Sequence, residues 1–371
     1  MRDAHGIDQE VTVSVEPTTS PRSPVPQRMS RARRLAPVLA LLLLAPWAAE
    51  CSWGGFTALG SLAVVFVLAP LYGGAAVLVR ETARRTGGGW PSIILLAAAF
   101  GWYMAGLVDQ SLFNPDFLSD TEYAELSEAA ADTRVPGLGF SAEQAVDFVG
   151  NHIALTICAP IAIVESLVGP ARRRQPWLGR WGLLVVGLLL LLGSLMIFTD
   201  DESGRQGFLL GPAQFAGTVL VIAALVAVAL LPRWRRGTTT RLTAAHPTVG
   251  RLDAPAPTPD RTAPPPVLVA AVVLAASLGA APLSGWVRVA VQLTAAAVVG
   301  TLIVAWSRRR GWGQRHVLAA WSAVLVNAAA FAYLVPSYAP AGPTEALVGD
   351  LTVTAVTVTL LTAAVLRLRH P

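Results

Sequence analysis

A carboxylate held beside an imidazole raises the imidazole pKa and can bind or pass on a proton. The sequence offers the parts of such a pair in Asp109 and His152, near matching ends of two successive apolar runs, with Glu50 at the end of an earlier run as a third member. Gln110 and Asn151 flank them, Gln214, Gln292 and Asp350 lie toward the same ends of later runs, and Asn327 lies mid-run. A charged side chain at the centre of a membrane-spanning helix costs on the order of 2.5 to 3.5 kcal/mol, so polar residues that persist there face a bundle interior or a water-filled cavity. The same pair also fits a plainer role, a hydrogen bond tying two helices together near the membrane surface. Glu165 falls about 20 Å beyond His152 along one helix, close in sequence to Arg172, Arg173 and Arg174, and is expected to anchor that end to the basic rim. Pro160 lies between them and is expected to kink the helix and free a carbonyl, either as structure or to open a cavity.

These residues must be positioned by helices. Of 371 residues 54% are hydrophobic and 14% charged, far from the balance of soluble domains. The apolar segments are nearly uniform over about 20 residues instead of alternating with helix or strand period, so the bilayer is the solvent. The runs are 35 to 49, 56 to 79, 90 to 112, 146 to 169, 181 to 199, 208 to 232, 266 to 283, 286 to 306, 316 to 336 and 347 to 366. The expected fold is all-α, a polytopic transmembrane helix bundle of about ten spans. The first run also has the shape of a cleavable signal peptide ending at Ala48 and Ala49. Glu50 fills the place where a lipoprotein cysteine such as Cys51 would need a small residue.

All 28 basic residues are arginine, as in a GC-rich, actinobacterial genome, and they cluster at the ends of apolar runs. With alternate connections assigned to the cytoplasm, twenty-five arginines fall on one side and only Arg134, Arg205 and Arg288 on the other. The positive-inside rule then puts both termini in the cytoplasm of a cell-membrane protein. Topology accounts for the net charge of +5, and no nucleic-acid partner is expected. The partners expected are the lipid bilayer and a cationic small molecule or protein at the acidic outer loop.

That loop, 114 to 145, carries Asp116, Asp120, Glu122, Glu125, Glu128, Asp132 and Glu143 against Arg134. Asn114 and Pro115 are expected to stop span three, residues 120 to 133 to form a surface helix, and Ser141 with Gln144 to cap span four. The loop reads as a solvated connector, a lid, or a docking surface. Residues 1–34 read as a disordered cytoplasmic tail and the Pro- and Arg-rich stretch 233–265 as a flexible cytoplasmic linker, dividing the chain into spans one to six (35–232) and seven to ten (266–371). Gly73 and Gly74 in span two and Ala97 to Gly106 in span three allow close helix approach. Spans one to four are the expected functional core, with the leucine-rich span five and span seven facing lipid.

Cys51 and Cys158 have no disulfide or metal-ligand spacing, and the sequence has no phosphate-cradling loop, His-Glu-x-x-His or Gly-x-Ser-x-Gly motif. No cofactor and no metal site are expected. The run Gly89, Trp90, Pro91 through Gly106, Leu107 and Gln110 to Pro115 resembles a segment of actinobacterial multi-span membrane proteins to which no activity is attached. Phe148 and His152 are similar to the Phe-x-x-x-His motif of the CAAX-protease and abortive-infection membrane family. That family's Glu-Glu-x-x-x-Arg motif is replaced by Met104, Ala105 and Asp109, and His316 has Ala320 where a later motif has Asn or Asp. Since those glutamates activate water for peptide hydrolysis, the resemblance implies a non-catalytic relative. Three classes remain from the sequence: a permease with an outward-facing polar site, a membrane-embedded hydrolase or its inactive relative, and an envelope scaffold or accessory subunit.

Overall fold

The computed structural model describes residues 31–200, 205–234, 261–338 and 341–369. It is a bundle of helices with no strand among the described residues. In hydrocarbon the backbone has no water to bond, so a segment that crosses must satisfy its own N–H and C=O groups as a helix. Among the described residues eight helices are long and apolar enough to cross a membrane: α2 (Ala58–Arg85), α3 (Trp90–Val108), α4 (Ala142–Leu167), α5 (Arg180–Thr199), α6 (Pro212–Ala229), α8 (Gly285–Ser307), α9 (Gln314–Leu334) and α10 (Pro343–Arg369). Two shorter apolar helices, α1 (Leu35–Cys51) and α7 (Pro266–Leu278), fall on the first and seventh expected runs. The chain is a membrane protein built as an all-α polytopic bundle.

Most of the expected tail and linker lie outside the described residues. The last four residues of the tail, 31–34, are already helical and lead into α1. Starts follow the local chemistry. Thr57 accepts from the Gly60 N–H at α2 and Ser141 from Gln144 N at α4, while Pro91, Pro212 and Pro266 open α3, α6 and α7, where a missing N–H costs nothing. The acidic loop holds the short helix Ala124–Ala130 and a tight turn, Ala131–Thr133. Span three ends earlier than Asn114 and Pro115 suggest. Asp109 accepts the Ser111 N–H at 2.9 Å and Gln110 turns the chain with φ 58°, so the helix stops at Val108.

α4 is the hub, packed against α1, α2, α3, α8, α9 and α10. Of the apolar windows of α3 and α4, 61% is buried, against 6% for α8 and 11% for α6, so α6 and α8 join α5 on the periphery. α1 contributes Leu41, Ala45 and Ala48 to the core. Spans seven to ten do not stand apart, since α9 and α10 pack on α4.

The four core helices share one departure from regular winding. Each widens into a π-helical turn, at Trp47–Cys51 in α1, Ala69–Gly73 in α2, Met104–Val108 in α3 and His152–Cys158 in α4. Prolines account for two of these. Pro70 lies inside the α2 turn, and Pro160 just beyond the α4 turn removes the donor that the Thr156 carbonyl would take, so the expected kink is absorbed as a bulge. In α3 the Asp109 N–H reaches the Met104 carbonyl five residues back, at 3.1 Å.

Glycines set the spacing. A Cβ on Gly73 would collide with the Leu42 backbone of α1, one on Gly101 would come within 3.1 Å of Val149 in α4, and one on Gly106 within 2.7 Å of Thr218 in α6. Gly73→Ala is therefore expected to force α1 from α2 and lower the unfolding midpoint in detergent by about 5 °C or more. Gly150→Ala, which meets nothing within 4 Å, should leave it unchanged, as thermal denaturation of both variants would read directly.

Candidate functional site

The two ends of the bundle carry opposite chemistry, and each holds buried polar residues. At the acidic-loop end, four polar residues stand in or just past the four widened turns, Tyr72 in α2 and His152 at the start of the α4 turn buried, Glu50 in α1 and Asp109 after α3 half-buried. Glu50 and Asp109 are close enough to act electrostatically on the Tyr72 hydroxyl and on each other. The His152 ring sits 5.7 Å from the Tyr72 ring and 5.7 Å from that of Phe100. A π turn displaces one residue's worth of backbone and turns side chains inward that a regular helix would aim elsewhere.

The arrangement differs from a carboxylate–imidazole pair. His152 Nδ1 takes Thr156 Oγ1 as its partner at 3.1 Å, while Asp109 is turned onto its own chain through Ser111. Beside the His152 ring lies that of Tyr72, not a carboxylate. Asn151 joins the cluster's edge, donating to the Ala49 carbonyl at 3.5 Å. Gln110 is buried but turned toward the α6 entry, accepting from Leu210 N at 3.1 Å. Gln214 accepts from Gly211 N at 3.0 Å and so caps α6.

A cover of aromatic rings joins three connections at this end. Trp53 and Tyr123 meet at 5.8 Å, Phe56 and Tyr338 at 5.8 Å, and Tyr123 and Tyr338 at 6.3 Å. Trp53 Nε1 donates to Ala49 O at 2.9 Å, Tyr123 donates to Pro336 O at 2.8 Å and Tyr338 N to Gly55 O at 2.7 Å. Burial pushes the Tyr123 phenol up to about 12, so its hydroxyl stays a donor through the neutral range. Trp53 and Asn151 both donate to the Ala49 carbonyl, next to Glu50, which places the cover beside the polar cluster.

Beside this cluster, α8 is held to α4 by Arg288, which meets Glu143 and lies 2.9 Å from Asp147 Oδ2. Gln292 adds a bond to Asp147 at 3.3 Å, and its Oε1 is buried without a partner among the described residues, as is Asn327 Oδ1 in α9. These two stand apart from one another on different helices.

The arginine-bordered end is closed by buried ions. Glu165 receives Arg84 through two bonds, at 2.9 and 2.6 Å, and Arg80 at 3.2 Å. Arg80, fully buried, also meets Glu81 at 2.7 Å, donates to the carbonyls of Arg173 and Gln175, both at 2.9 Å, and lies 3.4 Å above the Trp177 ring. Glu81 accepts the N–H groups of Trp177 and Leu178 at 2.7 and 3.1 Å. The expected anchoring of Glu165 to the 172–174 run is thus replaced by side chains of α2, and Arg173 instead binds the Glu165 carbonyl oxygen at 2.6 Å. Tyr72, Arg80 and Glu81 were not singled out from the sequence. The available signals were a tyrosine next to Pro70 and Gly73 within an apolar run, and a lone glutamate among arginines at a helix end.

Comparison with protein-family models, with curated proteins and with solved structures found no match. The site is therefore read from its own geometry. Losing one partner of a buried pair costs about 3–5 kcal/mol, so Glu165→Ala is expected to lower the unfolding midpoint in detergent by about 10 °C. Glu122→Gln on the exposed loop should have no effect, and equal midpoints for the two variants would remove Glu165 as a lock.

Proposed function

We propose that the chain is a permease-like protein of the cell membrane that takes up a cation from outside in exchange for a proton. Both termini are cytoplasmic in this reading, since the arginine-bordered end then faces inward. One observation carries it. Four successive core helices widen at the level where Glu50, Tyr72, Asp109 and His152 gather, and irregular backbone at membrane depth is tolerated where it lines a cavity or a binding site.

The two acidic residues at this level are Glu50, in the widened turn of α1, and Asp109, just past that of α3. Two carboxylates brought together away from bulk water need a compensating positive charge. A proton or a bound cation supplies it, so the two compete for one place. That competition is the minimum machinery of an exchanger. Arg288 is held by Glu143 and Asp147, and Arg205 donates to the carbonyls of Phe198 and Phe208, so both are engaged away from the cluster. The Tyr123 and Tyr338 cover acts as the outer lid, and the Arg80–Glu165 network keeps the inner side shut while the outer side exchanges.

Proteoliposomes loaded at acid pH with a pH-sensitive dye give the test. Tetramethylammonium added outside is expected to raise the lumen pH, and Glu50→Gln or Asp109→Asn should each slow the change about tenfold, the loss of about 1.4 kcal/mol of binding. A wild-type rate no greater than that of protein-free vesicles would overturn the reading.

A further inference from the structure

The polar cluster has an apolar neighbour. An open crevice of about 210 Å³ lies between α2, α3, α5 and α6, lined by Ala75, Leu78, Phe100, Tyr103, Leu190 and Ile222 among others. Leu190 and Ile222 come from the peripheral helices, whose neighbouring residues Leu188, Leu191, Leu192 and Leu220 are exposed on the bundle's apolar exterior, so the crevice opens sideways to where lipid would be. Its inner wall is the outer wall of the polar cluster. The Phe100 ring lines the crevice and also meets Tyr72 at 6.2 Å and His152 at 5.7 Å. The Tyr103 hydroxyl, on the same wall, is held by Ser194 at 2.8 Å, which leaves the ring to line the space.

Resting on the exchanger reading, we infer that the cation this site takes is an amphiphile, a quaternary ammonium bearing a single alkyl chain, with its head among Glu50, Tyr72 and Asp109 and its chain in the Phe100–Ile222 crevice. Three features select that chemistry. The carboxylates demand positive charge. The faces of Tyr72 and Phe100 suit a cation that carries no hydrogen-bond donors, because a ring face attracts charge without needing one. The crevice, apolar along its length, suits a chain and offers nothing to a second polar group. A ligand dissolved in the bilayer reaches the cluster by displacing the Phe100 ring, which is the partition between the two spaces.

A chain gains little on moving from lipid into an apolar crevice, so chain length alone does not decide the matter and a crevice-filling substitution does. Protein in nanodiscs is titrated with tetramethylammonium and with decyltrimethylammonium below its micelle concentration, with protein-free discs subtracted. The expectation is that Ile222→Trp weakens decyltrimethylammonium binding about tenfold by occluding the crevice and leaves tetramethylammonium within about twofold. Leu190→Trp, on the opposite wall, should do the same and serves if the first variant fails to fold. Glu50→Gln should weaken both ions. Tryptophan variants that leave both affinities unchanged would mean that the crevice holds only bilayer lipid, and equal loss of both ions would mean that it is not a chain site; either result overturns the inference while the exchange of tetramethylammonium for protons still stands. Failure of the wild type to bind either ion would remove the exchanger reading with it.

Discussion

The bundle depends on taking Arg80 and Glu165 out of water together. Two helices distant in sequence, α2 and α4, are joined at the arginine-bordered end by a fully buried guanidinium and carboxylate, with Arg84 making a second, two-bonded contact. An unpaired charge in that position would be costly enough to prevent close packing, whereas the complete set also takes up Glu81, Trp177 and the carbonyls that follow α4. Fixing α2 against α4 here sets their register over the rest of their length. That register puts Tyr72 beside His152 near the other end.

Between the two ends the packing is done by small residues and apolar surface. The hydrophobic effect does not drive helices together inside lipid, so close backbone approach at Gly73, Gly101 and Gly106 carries that burden. Close approach has a consequence for the π turns. A widened helix has to be accommodated by its neighbours, and the four widened turns lie in helices that pack on one another, α1 against α2, and α4 against α1 and α3. The polar residues are held where the backbone is least regular. This places irregular backbone at the polar cluster and ion-paired side chains at the opposite end.

The aromatic cover adds a different kind of closure. Trp53, Phe56, Tyr123 and Tyr338 come from three separate connections and are joined by single hydrogen bonds to backbone carbonyls rather than by buried ions. Such contacts break at far smaller cost than the Arg80–Glu165 network. The acidic loop is thus tied through Tyr123 to the α1–α2 and α9–α10 connections.

The sequence by itself determined that this is a multi-helix membrane protein. Uniform apolar runs can satisfy their backbones only as helices in lipid, and local rules, such as Ser141 capping α4 and the prolines opening α3, α6 and α7, act within a few residues. It also disclosed which residues were out of place in hydrocarbon: Glu50, Asp109, Asn151 and His152 lie toward the same end of the bundle, with His152 bonded to Thr156 and not to either carboxylate. What it could not disclose was who meets whom. Glu165 passes over the arginines that follow it to bind Arg80 and Arg84, 85 and 81 residues away, and Tyr72 enters the site marked in its own run only by the neighbouring Pro70 and Gly73. Gln110, Gln214 and Gln292, polar residues of the same type and similar depth, go to three different local tasks. Tertiary structure decided these matters because a side chain's partner is set by the rotation and depth of its helix against a neighbour, and here a π turn shifts that rotation in each of the four helices that build the site.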